Sequence, residues 1–380
     1  MTSHKSNIWC VSWDCIEIVC RVTMLGCIAA VGVSLLLIGC SKPDKPKPLK
    51  YNIYVGCNNT DQMYVYDADS LTLIDSIPGL GNSYSMVVSP DGRWLYVSVA
   101  RGPVSGDLIK VDARSKLVVA ELDGVGPIGH MTLVKDGECI LLGNVLFFSA
   151  KVDATTLQDF RLVDDSLYWR DGPTMGAKIA VTTARVASPP GPDQRIRVLD
   201  IETGAVSGSY IPRLQSGEII STYRVVLHPD GQRVLVLGPS SPRDVWFVIG
   251  DVTTGATLFQ HWLAAAGGRV AISDDGHYAI VTDPSDLSRP EFTPLTTDVF
   301  DLTTNTHLKR FNEEDFSDWV YNAQIQFLAD GKRAVLAPPP GKGGPFYVIN
   351  LVTLQEEKAI WLPGDVPLTG AIGTGLRPKQ

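Results

Sequence analysis

At 380 residues, 44% of them hydrophobic and 19% charged, the chain can bury a large core, and its composition excludes a disordered or fibrous protein. A net charge of −8 and a pI of about 5.3 exclude a broad nucleic-acid-binding surface and leave room only for a local basic site. The 35 glycines and 25 prolines point to many turns and few long helices.

The first predicted element is the uncharged run Met24–Gly39, "MLGCIAAVGVSLLLIG". It is short of the roughly 20 residues that a spanning helix needs and suits the h-region of a secretory signal, with Arg21 just before it. Residues 1–23 carry Asp14, Glu17 and three cysteines (Cys10, Cys15 and Cys20), which do not suit an n-region and point to a translation start further down. The run ends on Leu37-Ile38-Gly39-Cys40, which resembles a bacterial lipobox, with Ile38 where Ala or Ser is usual. That resemblance implies lipid transfer to the Cys40 thiol, cleavage before it and acylation of the new amino group. Ser41 resembles the sorting pattern of Gram-negative outer-membrane lipoproteins. "SKPDKPKPLK" follows, a tether too polar and Pro-rich to pack. The expected organisation is therefore a signal peptide over 1–39, a lipidated cysteine and tether over 40–50, and one domain over 51–380. The expected location is the cell envelope, anchored by lipid to the outer membrane and facing the periplasm or the cell surface.

Beyond residue 50 the chain repeats. An Asp-Gly turn between apolar runs recurs with its glycine at 92, 137, 231, 276 and 331, as in "MVVSPDGRWLYVSV" and "VVLHPDGQRVLVLG". Asp-Gly between alternating apolar residues is the strongest short hairpin signal. The wide gap between 137 and 231 holds one degenerate unit, and "GAKIAVTTARV" (176–186) is matched to it. A second signal is a strand ending in Asp, then a turn and another strand, at Asp67, Asp112, Asp153, Asp200, Asp251, Asp301 and Asn350. Seven units at this spacing, each of four short strands, predict an all-β fold: a seven-bladed β-propeller of four-stranded antiparallel blades. The first unit starts at "NIYVGC" without an inner strand, and "GDVPLTGAIGTG" follows the last unit. The C-terminal strand is therefore expected to complete the first blade and close one monomeric ring. "YNIYVGC", "WLYVSVA" and the "SPDG" hairpin make these units resemble YVTN-type propeller repeats of bacterial surface and periplasmic proteins. That likeness specifies a fold rather than a function.

Irregular segments between the second and third strands, at 100–107, 184–194, 238–244, 283–296 and 337–345, are expected to form variable loops on one face, where binding usually resides. The aromatic-acidic connections at 168–176 and 313–322 either rim a site or pack between blades. Cys57 and Cys139 fall in second strands of different blades and are expected as buried free thiols. No Walker loop, GxSxG elbow, HExxH or EF-hand pattern occurs, nor any Cys/His set with zinc spacing, so neither a cofactor nor a metal site is expected. The histidines outside the leader read as turn or strand residues.

Candidate site residues come from aligning inner strands seven positions before each Asp-Gly glycine. This gives Ser85, His130, Arg224, Arg269 and Gln324, and matching "AKIAV" to "YRVVL" adds Lys178. The next residue in each repeat is apolar, so alternation turns this polar column toward the central channel. Clustered cations in an acidic protein would draw in a small anion. Arg224 and Arg269 would grip it, and His130 would tune binding with pH. Three functions remain open: a lipid-anchored binding protein for a small anionic ligand or a partner, a scaffold in an envelope complex, and a hydrolase. The last follows from the resemblance, because similar propellers include lactonases. A lactonase needs a carboxylate beside His and Arg in the channel, and the sequence identifies only the basic half of that set.

Overall fold

The computed structural model describes residues 50–57, 60–102, 105–125, 128–134, 137–144, 149–158, 161–162, 178–182, 195–200, 202–241, 244–263, 268–282, 296–316, 324–337, 344–365 and 368–376. The N-terminal run, Cys40 and the tether lie outside them. Among the described residues no helix is long and apolar enough to cross a membrane.

Among the described residues, antiparallel strands form seven sheets, six of four strands and one of three. The first holds β1 (Tyr51–Cys57), β2 (Gln62–Asp67) and β3 (Thr72–Pro78). The second holds β4 (Ser83–Val88), β5 (Trp94–Gly102), β6 (Ser105–Asp112) and β7 (Leu117–Leu122). The third holds β8 (Ile128–Val134), β9 (Cys139–Asn144), β10 (Ser149–Asp153) and β11 (Arg161–Leu162). The fourth holds β12 (Lys178–Thr182), β13 (Ile196–Asp200) and β14 (Val206–Tyr210). The fifth holds β15 (Arg224–Leu227), β16 (Arg233–Ser241), β17 (Asp244–Asp251) and β18 (Thr257–Leu263). The sixth holds β19 (Arg269–Ile272), β20 (Tyr278–Thr282), β21 (Thr297–Asp301) and β22 (Thr306–Phe311). The seventh holds β23 (Gln324–Phe327), β24 (Arg333–Ala337), β25 (Phe346–Asn350) and β26 (Gln355–Ile360). The C-terminal β27 (Leu368–Leu376) pairs antiparallel with β1, Tyr54 opposite Gly373, so the first sheet runs β27-β1-β2-β3. The architecture is all-β and propeller-like.

Two turn chemistries explain the repeat. In all seven sheets the residue closing the third strand folds the next turn around its own side chain. Oδ1 of Asp67, Asp112, Asp153, Asp200, Asp251, Asp301 and Asn350 accepts the backbone N–H groups two and three residues on. Such local bonds favour turns over regular structure. They hold the Asp112, Asp153 and Asp251 carboxyls below the ordinary range. Four residues after the anchor the backbone turns left-handed in every copy, at Leu71, Lys116, Leu157, Gly204, Gly255, Asn305 and Leu354. The Asp-Gly hairpins also pack on one another. Gly276 has φ 73°, and a Cβ there would lie 2.8 Å from the His228 ring. The Nε2 of that ring donates to the Gly276 carbonyl at 2.9 Å, so glycine is required both for the turn and for the close approach.

The core is divided among sheet–sheet interfaces. Six apolar clusters each draw on two sheets: seventh with first, first with second, second with third, fourth with fifth, fifth with sixth, and sixth with seventh. Long cations tie the same neighbours by capping turn carbonyls. Lys110 donates to Ala154 and Thr155, Lys309 to Leu354, Lys358 to Leu71, and Arg233 to Leu302. Lys110 is buried, stands 4.4 Å over the Trp94 ring, and has its pKa lowered by that burial.

The structure corrects two expectations from the sequence. The segments at 100–107 and 238–244 are largely strand rather than irregular loop. Ala100 pairs with Gly106 and Pro239 with Val245, so these hairpins lengthen β5–β6 and β16–β17. Segment 184–194 lies outside the described residues, as do nearly all of 283–296 and most of 337–345. The second correction concerns Lys178. Strand β12 pairs directly with β13, the strand that ends in Asp200, with Lys178 opposite Asp200. The equivalent pairs elsewhere are Trp94–Asp112 and Arg233–Asp251. Lys178 therefore begins a second strand, at the Asp-Gly end, and does not belong to the inner column. An inner and a second strand carry the same apolar pattern. Without the turn marker between them, the two cannot be told apart from sequence.

Candidate functional site

The inner strands present two alternating faces. Met86, Met131, Val225 and Val270 are buried between sheets, whereas their neighbours Ser85, His130, Arg224 and Arg269 are partly exposed. A one-residue alternation separates these faces, which the strand pleat enforces. The equivalent backbone pairs Ser85–Ser98, His130–Gly143, Arg224–Leu237, Arg269–Thr282 and Gln324–Ala337 put the five residues at one level of their sheets.

A cavity of about 250 Å³ lies between the inner strands β4, β8, β19, β23 and β27. Ser85, His130, Arg269 and Gln324 all line it, each from a different sheet. One step along the same faces it is lined by Thr132, Ala271 and Gln326; Met86, Met131 and Val270 of the alternate faces also border it, and β27 contributes Ile372. Gln324 reaches across, its Nε2 donating to the Tyr84 carbonyl at 3.3 Å. Arg224 does not line this cavity. Its Nε donates to the Gly268 carbonyl at 3.3 Å, directly before Arg269. Lys178 is elsewhere, as its pairing requires, and Cys40 lies outside the described residues.

The cavity holds one acid that sequence reading missed. Asp274 lines it beyond the end of β19. Its carboxyl reaches solvent at the rim but is crowded by protein, and that burial, then the charge of Asp275, raises its pKa. A signal for it exists: "SDDG" puts Asp274 where the other turns have Pro90, Lys135, Pro229 and Ala329. The cavity thus carries both charges, Arg269 at the start of β19 and Asp274 in the turn two residues past its end.

Two cysteines and one histidine resolve as structural. Cys57 and Cys139 are free and buried, and burial pushes the Cys57 thiol up to about 12. His228 is 5% exposed and latches one Asp-Gly turn to the next. Segment 168–176 lies outside the described residues. From 313–322, residues 317–322 lie outside the described residues, and Phe316 packs against Phe311 and Tyr347, with ring centroids 5.5 and 5.0 Å apart.

No protein-family model matches the chain, and no curated protein matches it. Among solved structures it is similar to the hydrazine synthase of Kuenenia stuttgartiensis, at 15% identity and a TM-score of 0.52, over 72% of this chain and 78% of that one. At that identity the likeness concerns the fold alone, and it agrees with a propeller-like all-β chain.

Proposed function

We propose that the protein is a lipid-anchored binding protein of the bacterial envelope whose seven blades, closed by β27, form one ring with a ligand-binding channel at its centre. The anion-binding level is set by Arg269 and His130, with Ser85 and Gln324 as neutral partners. The observation that carries this reading is the shared cavity: four residues chosen from the sequence by one alignment rule line it from four sheets. Ring closure is supported by the six two-sheet cores, including the one shared by the seventh and first sheets.

Charge and size define the ligand class. A cavity of about 250 Å³ holds a small molecule and not a polymer chain. Arg269 offers planar, two-point recognition of carboxylate or phosphate. Walls of low dielectric strengthen that attraction in a protein that is acidic overall. The Asp274 end repels an anionic head, so the ligand's charge points toward Arg269 and its neutral part toward Asp274.

The hydrolase reading gains the carboxylate it lacked, but in an unfavourable place. Asp274 belongs to the turn after β19, whereas His130 and Arg269 share the inner-strand level, so the carboxylate is not part of the same column. Binding is therefore the better reading, and an envelope scaffold the next.

Calorimetric titration with gluconate and with inorganic phosphate tests the site. The Arg269→Ala and His130→Ala variants should keep their far-UV spectra. Arg269→Ala should bind about 10- to 100-fold more weakly, the worth of a charged hydrogen bond. Equal affinities for wild type and Arg269→Ala would end this reading. Anchoring is tested separately. Cys40→Ala should abolish incorporation of labelled fatty acid, and continued acylation would contradict the lipoprotein assignment.

A further inference from the structure

Away from the channel, two histidines distant in sequence meet at the seam between the outer strands of the fifth and sixth sheets. His261 lies on β18 and His307 on β22. Their rings stack with centroids 4.3 Å apart and planes 22° apart. Beneath them Asp298 of β21 is 1% exposed. Its Oδ1 accepts from His307 Nε2 at 2.7 Å and from Arg310 Nε at 2.9 Å. One donor atom from each of His261, Asp298 and His307 lies within 4.8 Å of the other two. Phe247, Phe259 and Phe300 close the inner side, Phe247 and Phe300 being 4.4 Å apart.

We infer that this seam is a binding site for a late first-row divalent cation of the zinc class, held by His261, His307 and Asp298. Two imidazoles and one carboxylate are the borderline nitrogen and oxygen donors that such ions prefer. Calcium and magnesium need more oxygens than the seam supplies. Bonds of about 2.0–2.1 Å in a tetrahedral site put donor atoms roughly 3.3 Å apart. The donor atoms already lie within 4.8 Å of one another, and the 2.7 Å His307–Asp298 contact would open slightly to reach that value. Arg310 then holds the carboxylate from behind, as second-shell partners of metal ligands do.

A hydrogen-bond network kept only for stability explains the seam less well. Such a network needs one histidine, and here a second ring is stacked on the first. It would also use the guanidinium fork of Arg310, yet Arg310 Nη2 is buried without a hydrogen-bond partner. The positive charge of Arg310 beside the ion makes the site moderate rather than tight. A bound ion would pin β18 to β21 and β22, and so clamp two neighbouring sheets at their outer edges.

The test uses the full chain in mild detergent, stripped with chelator and with accessible thiols alkylated so that the leader cysteines cannot bind metal. Zinc is titrated by calorimetry and cobalt(II) by visible absorption. One equivalent should bind, with the intense visible bands of four-coordinate cobalt and a higher melting temperature. His261→Gln and His307→Gln, both at partly exposed positions, should each weaken binding about tenfold or more while leaving the far-UV spectrum intact. His277→Gln, on an exposed turn, should change nothing. Equal binding by wild type and the His261→Gln/His307→Gln double variant would overturn the assignment, as would no saturable binding by the wild type.

Discussion

Replacing Asp230 with Asn gives a quantitative test of how the turns hold the sheets together. Oδ1 of Asp230 accepts the backbone N–H groups of Gln232 and Arg233 at 2.8 and 2.9 Å, and Oδ2 accepts from Arg233 Nε at 2.6 Å. Arg233 in turn reaches the Leu302 carbonyl of the sixth sheet at 2.6 Å. Burial opposes the Asp230 charge, but these bonds and nearby His228 outweigh it and hold the carboxyl at about 2, against 3.8 ordinarily. At about 1.4 kcal/mol per unit the shift has a ceiling near ~2.5 kcal/mol. The side chain is 35% exposed, so screening reduces this to about 1–1.5 kcal/mol. The folded pKa lies below the unfolded one. The contribution is therefore complete above about pH 5 and is lost as pH falls through 4 toward 2. Asn keeps the acceptor for the turn but not the charge for Arg233. Urea unfolding of wild type and Asp230→Asn should differ by about 1–1.5 kcal/mol at pH 7, a few degrees in melting temperature, and the gap should close by about pH 2. A gap that stays constant from pH 7 to pH 2, or none at pH 7, would refute the reasoning.

Two further outcomes follow from the packing. A Cβ at Gly375 would lie 2.3 Å from Val88 Cγ1, so Gly375→Val should cost about 1–3 kcal/mol by overpacking β27 against β4; unchanged melting in calorimetry would show that the two strands do not pack together. Burial and the raised pKa should keep Cys57 unreactive toward Ellman's reagent in the native protein at pH 8, with reaction only after unfolding in guanidinium, and rapid native labelling mapped to Cys57 would contradict this.

The fold was legible because its punctuation is chemical. An aspartate that accepts two backbone N–H groups must sit at the end of its strand, so the seven anchors mark seven third strands directly. The Asp-Gly turns mark the hairpin before them in five units. Where that marker is missing, as before Lys178, the alignment lost its reference and took a second strand for an inner one. Loop length was misjudged at 100–107 and 238–244 because Gly, Pro and Ser read as irregular. There the ladder of backbone hydrogen bonds carries them as strand, with Gly106 and Pro239 still in register.

The candidate channel was legible for the same reason, and the metal seam was not. The candidate residues hold one fixed place in a repeated unit, so counting from the turn glycine finds them, and four of the six chosen line one cavity. Asp274 departs from its equivalents by a single residue, which only a comparison between the units reveals. His261, Asp298 and His307 share no such place. They come from a fourth strand, a third strand and another fourth strand in two different sheets. Nothing in their spacing joins them until the twist of adjacent sheets brings their outer edges together. Repetition thus makes the scaffold readable from the chain. A site built across the seams departs from the repeat, and three-dimensional packing is what reveals it.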